Sequence, residues 1–343
     1  SLFLNPAGFS RGQGEMTLGA VSSWIYSRPD ALLGLAQGMI AGTSTSSDTL
    51  DFLNSQVTTG GIGAGSSLGI GYVGNGLGIG VAVMVDSYMY GATLLGAVGD
   101  LTATVGFIGG ISVPFDLFGF KLHVGGDIRP MIRVHVPLTN AVALSALMSI
   151  ANGGDVLAAL GSANAMYGAG VGVDLGAILE LGWFDVGVSV RDLAGTTFTY
   201  SSSSFSALQS SLSSQASFPS SGTAVTADTY TIPMDVAAGV SFHPDFGSLT
   251  NIVDPSIGID LHDIVGVVAG DRSIWTALHV GTELRLLSMF TAQAGLNQGY
   301  FTVGGGVRLW IMDLDFAVFT RELGTHVGDK ASSGLSFDVS FNF

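Results

Sequence analysis

The chain has 343 residues, of which only 11% are charged, with a formal net charge of −15 and no cysteine. The acidic balance excludes the basic face that a nucleic-acid binder needs, and the missing cysteines exclude disulfide frameworks and thiolate zinc sites. Mean hydropathy is +0.52, yet no stretch supplies the roughly 18 uninterrupted apolar residues of a helical span. The best candidate, 141–160, is broken by Asn152, Gly153, Gly154 and Asp155. A hydrophobic mean without hydrophobic runs is what alternating lipid-facing and lumen-facing strand residues produce. Ser1 opens with no signal peptide, so the chain reads as a mature or trimmed form.

In chain order, residues 1–14 contain Asn5-Pro6-Ala7-Gly8 and precede a first strand over Glu15–Ser27. Residues 28–60 break the period-two pattern. Leu32, Leu33, Ala36, Met39 and Ile40 have helical spacing after Pro29, and Ser47 is the expected N-cap of a second short helix. Two strands, Ile62–Val73 and Leu77–Tyr90, flank Gly74-Asn75-Gly76, a hairpin turn whose residues tolerate positive φ. A fourth strand over Asp100–Val113 and a fifth over Phe120–Val136 follow, joined by a turn over 114–119. Residues 137–165 form a long loop with helices expected at 141–151 and 155–162. Strands six and seven run over Met166–Leu181 and Trp183–Asp192. The serine-rich stretch 193–229 is expected to be a mostly flexible loop with one amphipathic turn or two, since Phe205, Leu208 and Leu212 are spaced like one helical face. Strands eight to fourteen are expected at 230–242, 256–264, 272–286, 289–296, 300–311, 314–321 and 333–343. The closing stretch alternates Phe337, Val339, Phe341 and Phe343 with Ser336, Asp338, Ser340 and Asn342, as suits a barrel's last strand pairing with its first.

The expected fold is therefore an all-β membrane protein: one 14-stranded antiparallel transmembrane barrel over residues 1–343, with short helices in its extracellular loops. Connections after odd-numbered strands are mostly long and the others mostly short. This fits long outside loops and short periplasmic turns, and it places the barrel in a bacterial outer membrane.

The fifth strand carries Lys121, His123, Asp127, Arg129, Arg133 and His135 on one face and apolar residues on the other. Charges facing lipid cost a few kcal/mol each near the midplane, so this face points into the lumen. Arg129 and Arg133 are candidates to hold a carboxylate; the favoured expectation is that they pair with Asp174, Glu180, Asp185, Asp260 or Glu283 across the lumen, since barrel lumens balance their charges. Gly65-Ser66-Ser67-Leu68-Gly69 has the spacing of a nucleophile elbow, and Gly69, Gly71 and Gly74 that of a dinucleotide fingerprint. Neither opens a helix, so no catalytic residue or cofactor is expected; His123, His262 and His279 near Asp127, Asp260 and Glu283 are expected to be polar lumen packing and not a metal site.

The strand number and Asn5, Pro6 and Ala7 together resemble the FadL-type outer-membrane long-chain fatty-acid transporters, in a divergent, spirochaete-like branch. In that family the Asn-Pro-Ala segment joins a lumen plug to the first strand, and residues 1–14 would be the remnant of that plug. The resemblance implies passive uptake of long-chain fatty acids or similar hydrophobic molecules, with lateral release through a kinked wall. The expected capture site is an apolar groove between loop helices, lined by Leu32, Leu33, Met39 and Ile40 on one side and Leu144, Leu147 and Met148 on the other. The bland expectation is that these helices pack on each other over the barrel mouth. The expected lateral opening lies beside strand five, at Gly125, Gly126 and Pro130, with Arg129 and Arg133 at its inner edge; a simple β-bulge is the competing expectation. The expected partners are a fatty-acid-like ligand, the surrounding membrane and, during biogenesis, the barrel assembly machinery, with the chain a monomer and not an enzyme. The alternatives are a general polar-solute porin and a structural or secretion-associated barrel that binds a protein.

Overall fold

The computed structural model describes residues 4–43, 45–215, 218–219 and 223–343, with 39, 215 and 223–228 described by backbone alone. Its strands are β1 (Glu15–Tyr26), β2 (Ile62–Gly74), β3 (Leu77–Tyr90), β4 (Val98–Leu117), β5 (Phe120–Leu138), β6 (Asn164–Leu181), β7 (Phe184–Arg191) and β8 (Thr196–Ser204). They continue as β9 (Thr223–Ile232), β10 (Asp235–Phe242), β11 (Val253–Leu261), β12 (Leu278–Leu286), β13 (Phe290–Asn297), β14 (Tyr300–Leu309), β15 (Met312–Glu322) and β16 (Ala331–Asn342). Every pairing is antiparallel. β5 pairs with β6, and β1 pairs with β16 from Thr17↔Asn342 to Tyr26↔Gly334, so the sheet closes.

The sixteen segments form fourteen staves, because β8 and β9 extend β7 and β10. The β7–β10 ladder ends at Arg191↔Asp235 and the β8–β9 ladder resumes at Thr196↔Ile232. The loop expected over 193–229 thus holds β8, a helix over Phe205–Gln215 and the start of β9; 216–217 and 220–222 lie outside the described residues. Thr196 to Tyr200 alternates buried and exposed positions, a strand signal that the serine-rich composition of the stretch obscured. Three smaller corrections follow the local chemistry. The turn expected over 114–119 is only Phe118 and Gly119, both at positive φ, so β4 is longer than expected. The expected strand over 272–286 starts only at Leu278, because Asp263 and Ser273 cap two short helices ahead of it. The second helix of the first long loop is capped by Thr45, not Ser47. Thr45 and Asp48 form a reciprocal capping box, the Thr45 N–H donating to Asp48 Oδ2 at 2.7 Å.

Register fixes the two faces. The β2–β3, β3–β4 and β5–β6 ladders run without a shift, so side-chain parity is unbroken along each stave. Even positions of β4 and odd positions of β5 face the lumen. Their alternates, such as Phe107, Ile111, Val124 and Ile128, are exposed on the outside, as a lipid-facing band requires.

The loop helices are α1 (Pro29–Ile40), α2 (Ser46–Thr59), α3 (Asn140–Ala151), α4 (Val156–Ala159), α5 (Phe205–Gln215), α6 (Ile264–Ala269) and α7 (Ile274–Ala277). Leu53 and Val57 of α2, Ala143, Ala146 and Leu147 of α3, and Leu208 of α5 share one buried core with Met89, Val136, Ala165 and Tyr167 of the barrel. By parity those four barrel residues point outward. The helical cap therefore seats on the outer face of the extracellular ends of β3–β6, rather than over the mouth. Strand length is the reason. Crossing the hydrocarbon takes about 9–11 residues, whereas β4, β5 and β6 have 20, 19 and 18. The surplus rises above the lipid, where its outward apolar side chains would meet water, and the cap covers them. Leu147→Asp places an unpaired charge in this core. Externally added protease is expected to cut within 139–163 of the variant, while its barrel still shows the heat-dependent gel mobility shift of the parent.

Candidate functional site

The lumen is built around the N-terminal segment. Asn5 caps a 3₁₀ helix, Pro6–Ser10, by accepting from the Ala7 N–H at 3.0 Å. Its Nδ2 donates to the Val188 carbonyl at 3.1 Å and to that of Ala177 at 3.5 Å. Ala7 and Phe9 are fully buried. Lumen-facing glycines make the seat: a Cβ at Gly176 would overlap the Asn5 amide, one at Gly125 the Pro6 carbonyl, and ones at Gly78 and Gly110 the Phe9 ring. Ser112 donates to the Ala7 carbonyl at 2.9 Å, and Ser10 meets both Ser112 and His123, at 2.8 and 2.7 Å. Arg11 bridges Glu180 at 2.9 Å and Asp185 at 2.6 Å. Partial burial works against the Arg11 charge, but the two carboxylates outweigh it and hold its pKa above the ordinary value.

This seat corrects one expected site. Gly125 does not thin the wall for a passage; it makes room for Pro6 and Ala7. Gly126 faces outward under Leu175. Pro130, also outward, does lack a ladder partner on β4, where pairs lapse between Gly106↔Met131 and Gly109↔Ile128 without a change of register. Its other edge is paired, Pro130↔Val171. The wall beside strand five is therefore continuous.

The larger interruption lies on the far edge of β6. Its ladder to β7 ends at Leu175↔Val190 and that to β8 begins at Tyr167↔Ser201. Between them Asp192 to Gly195 bulge, with Asp192, Ala194 and Gly195 at φ 50°, 64° and 82°. Left-handed backbone at non-glycine residues costs of order 1–2 kcal/mol each. The backbone bond from Leu193 N–H to the Val173 carbonyl, 2.8 Å, spans the bulge. Buried charge fixes the rest. Arg129 grips Asp174 with Nε at 2.6 Å and Nη2 at 2.9 Å, and Nη2 lies 3.0 Å from Asp192. The Asp192 N–H donates to Asp174 at 2.8 Å, and Thr196 donates to the Asp192 carboxylate at 2.6 Å. Arg129 therefore resolves its two expected roles: its fork is filled by Asp174 and it is buried, leaving no seat for a ligand carboxylate.

Arg133 behaves differently. Among the described residues no carboxylate pairs with it, and its guanidinium lies 4.6 Å from the centre of the Tyr230 ring. Beside it Met131, Phe198 and Tyr200 pack with Met166 and Ile232 on the lumen side. Phe198 and Tyr200 cover Gly170 and Gly168, where a Cβ would stand 3.1 Å from each ring. They form one of two aromatic patches on the lumen side; in the other, Trp24 and Tyr26 donate to Asp86, and Tyr26 packs edge-on against Tyr88 and Phe319. None of Phe198, Tyr200, Tyr230 and Ile232 was an expected site residue, although Thr-Phe-Thr-Tyr at 197–200 carries a strand's alternation.

The expected loop groove is not brought together. α2 packs against both α1 and α3. Leu147 is fully buried in the cap core, so it cannot line an open groove; Leu144 is half-buried and Met148 exposed. On α1, Leu32 is half-buried, Leu33 and Ile40 are exposed, and the Met39 side chain lies outside the described residues.

No protein-family model matches the chain, and no curated protein matches it. Solved structures similar to it are outer-membrane barrels. The toluene transporter TodX of Pseudomonas putida is 12% identical, with 99% of this chain and 92% of that one covered, at TM-score 0.47. The toluene transporter TbuX of Ralstonia pickettii is 14% identical over 99% and 92%, at TM-score 0.48. LpxR from Salmonella typhimurium is 10% identical over 94% and 99%, at TM-score 0.36.

Two variants test the site's construction. Arg129→Leu strands Asp174 and Asp192 without their cation and is expected to cost about 3–5 kcal/mol, read as a lower urea midpoint. Arg129→Lys should recover little of it, since an ammonium cannot reproduce the two-point grip. Gly176→Val should evict Asn5 while leaving the barrel folded, so that periplasmic-side protease removes the N-terminal segment from the variant and not from the parent.

Proposed function

We propose that the chain is a passive outer-membrane channel for hydrophobic molecules, with long-chain fatty acids as the substrate class. The observation that carries the reading is the aromatic lumen patch of Phe198, Tyr200 and Tyr230, set beside the break between β6 and the β7–β8 stave. An apolar solute gains roughly 0.8 kcal/mol per CH₂ by leaving water, so such a patch is a foothold among the charged and polar groups of the lumen. The half-exposed Tyr230 and Arg133 at its edge, which has no carboxylate partner among the described residues, suit an acyl chain with a carboxylate head. The lapse of the ladder beside β6 is where a tail would leave the lumen, once the Leu193 to Val173 bond that spans it opens. The motif Asn5, Pro6 and Ala7 supports the same reading by its resemblance to FadL-type transporters, and each monomer would carry its own route. No covalent step is involved.

A polar-solute porin is the second reading, favoured by a cavity of about 220 Å³ beside the N-terminal segment, lined by Arg11, Asp185, Arg191, Asp260 and His262. Vesicles carrying the purified barrel decide between them. They are expected to take up labelled oleate faster than empty vesicles and not to swell in isotonic sugars. Tyr230→Ala should slow oleate uptake several-fold. Sugar swelling without oleate uptake would replace the channel reading by the porin.

A further inference from the structure

The cap's seat on the outer wall leaves a face to be explained. α3 and α4 are joined within residues 139–163, a stretch whose single charged side chain is Asp155. Leu95, Ile150 and Leu157 are exposed at 73%, 42% and 50%, and Ile150 lies on the α3 stripe of Ala143 and Leu147 that meets the wall. Leu95 belongs to the short connection that packs on α2 and α3. A water-facing loop has no use for such a surface.

The wall beneath supplies the occupant. Along β5 the outward positions run from Phe120, exposed at the periplasmic edge, through Val124 and Ile128 to Ile132, and then to Val134 and Val136, which the cap covers. Counting the roughly 9–11 residues that cross the hydrocarbon from Phe120 puts the upper boundary of the lipid near Arg129 to Met131. The covered positions begin within a few residues of that level. The cap therefore stands on the outer leaflet, and its exposed apolar face is continuous with the lipid-facing band of the same staves.

We propose that this face is a second membrane contact. The cap docks sideways on the outer leaflet, with Leu95, Ile150 and Leu157 in the upper acyl zone, as an interfacial helix does. With no Lys or Arg in 139–163, the attraction is apolar, not ionic. Docking places the loop helices in the lipid surface instead of in water, so solutes dissolved in the leaflet meet the protein there.

The absence of native cysteine makes the test clean. The variants Leu95→Cys, Ile150→Cys and Leu157→Cys, each labelled with an environment-sensitive dye, are placed in phosphatidylcholine vesicles containing lipid with a quencher high on its acyl chain. Ile128→Cys on the lipid-facing wall and Asp51→Cys on α2 bracket the response. The three cap labels are expected to be quenched as strongly as the one at Ile128. Quenching no greater than at Asp51 overturns docking. A blue-shifted label that the lipid quencher does not reach also overturns it, and assigns the face to a second copy of the chain.

Discussion

In a bilayer no backbone N–H or C=O may face hydrocarbon unpaired, since water is not there to take its place. Every large feature of this chain answers that constraint. It forces closure, which β1 and β16 achieve at the seam between the chain's two ends. It also decides where the ladder can lapse. At Pro130 the residue has no N–H to lose, so the pairs to β4 stop and resume in the same register. At Asp192 to Gly195 the lapse is wider. There the Leu193 and Asp192 N–H groups donate to the Val173 carbonyl and the Asp174 carboxylate, while Thr196 donates to the Asp192 carboxylate and Arg129 holds the two carboxylates together. A buried ion pair is weak evidence for stability on its own. Here it fixes a strained bulge that the ladder cannot hold.

The second constraint is length. Staves of equal height would leave nothing above the membrane to cover. β4 to β6 overshoot, and their outward valines and alanines need a partner that is not lipid. The helical loops provide it, so their apolar residues are explained first by packing against the wall. The same overshoot inverts the pattern on β8 and β9. Their outward residues include Thr197, Thr199 and Thr231, and their inward ones Phe198, Tyr200 and Ile232, the arrangement of a soluble strand standing above the lipid. The aromatic lumen patch follows from that inversion.

The sequence by itself determined the class and the ring. Period-two alternation over fourteen staves, the Gly-Asn-Gly turn, the polar face of strand five and the terminal Phe337–Phe343 alternation are local signals, and a closed membrane barrel is the architecture that satisfies them together. The Asn-Pro-Ala segment was visible as a motif, though not as a lumen seat. Only the tertiary structure decided what lies across the ring. That Gly125 and Gly176 leave room for Asn5 to Ala7, that Arg129 meets Asp192 as well as Asp174, and that Leu147 is buried against an outward wall are contacts between residues far apart in the chain. Their pairing depends on register and stave height, which no local window contains. The stretch 193–229 shows the limit from the other side. Its serines read as a loop because composition outweighs pattern in a short window, and only pairing with β6 and β9 made Thr196–Ser204 a strand.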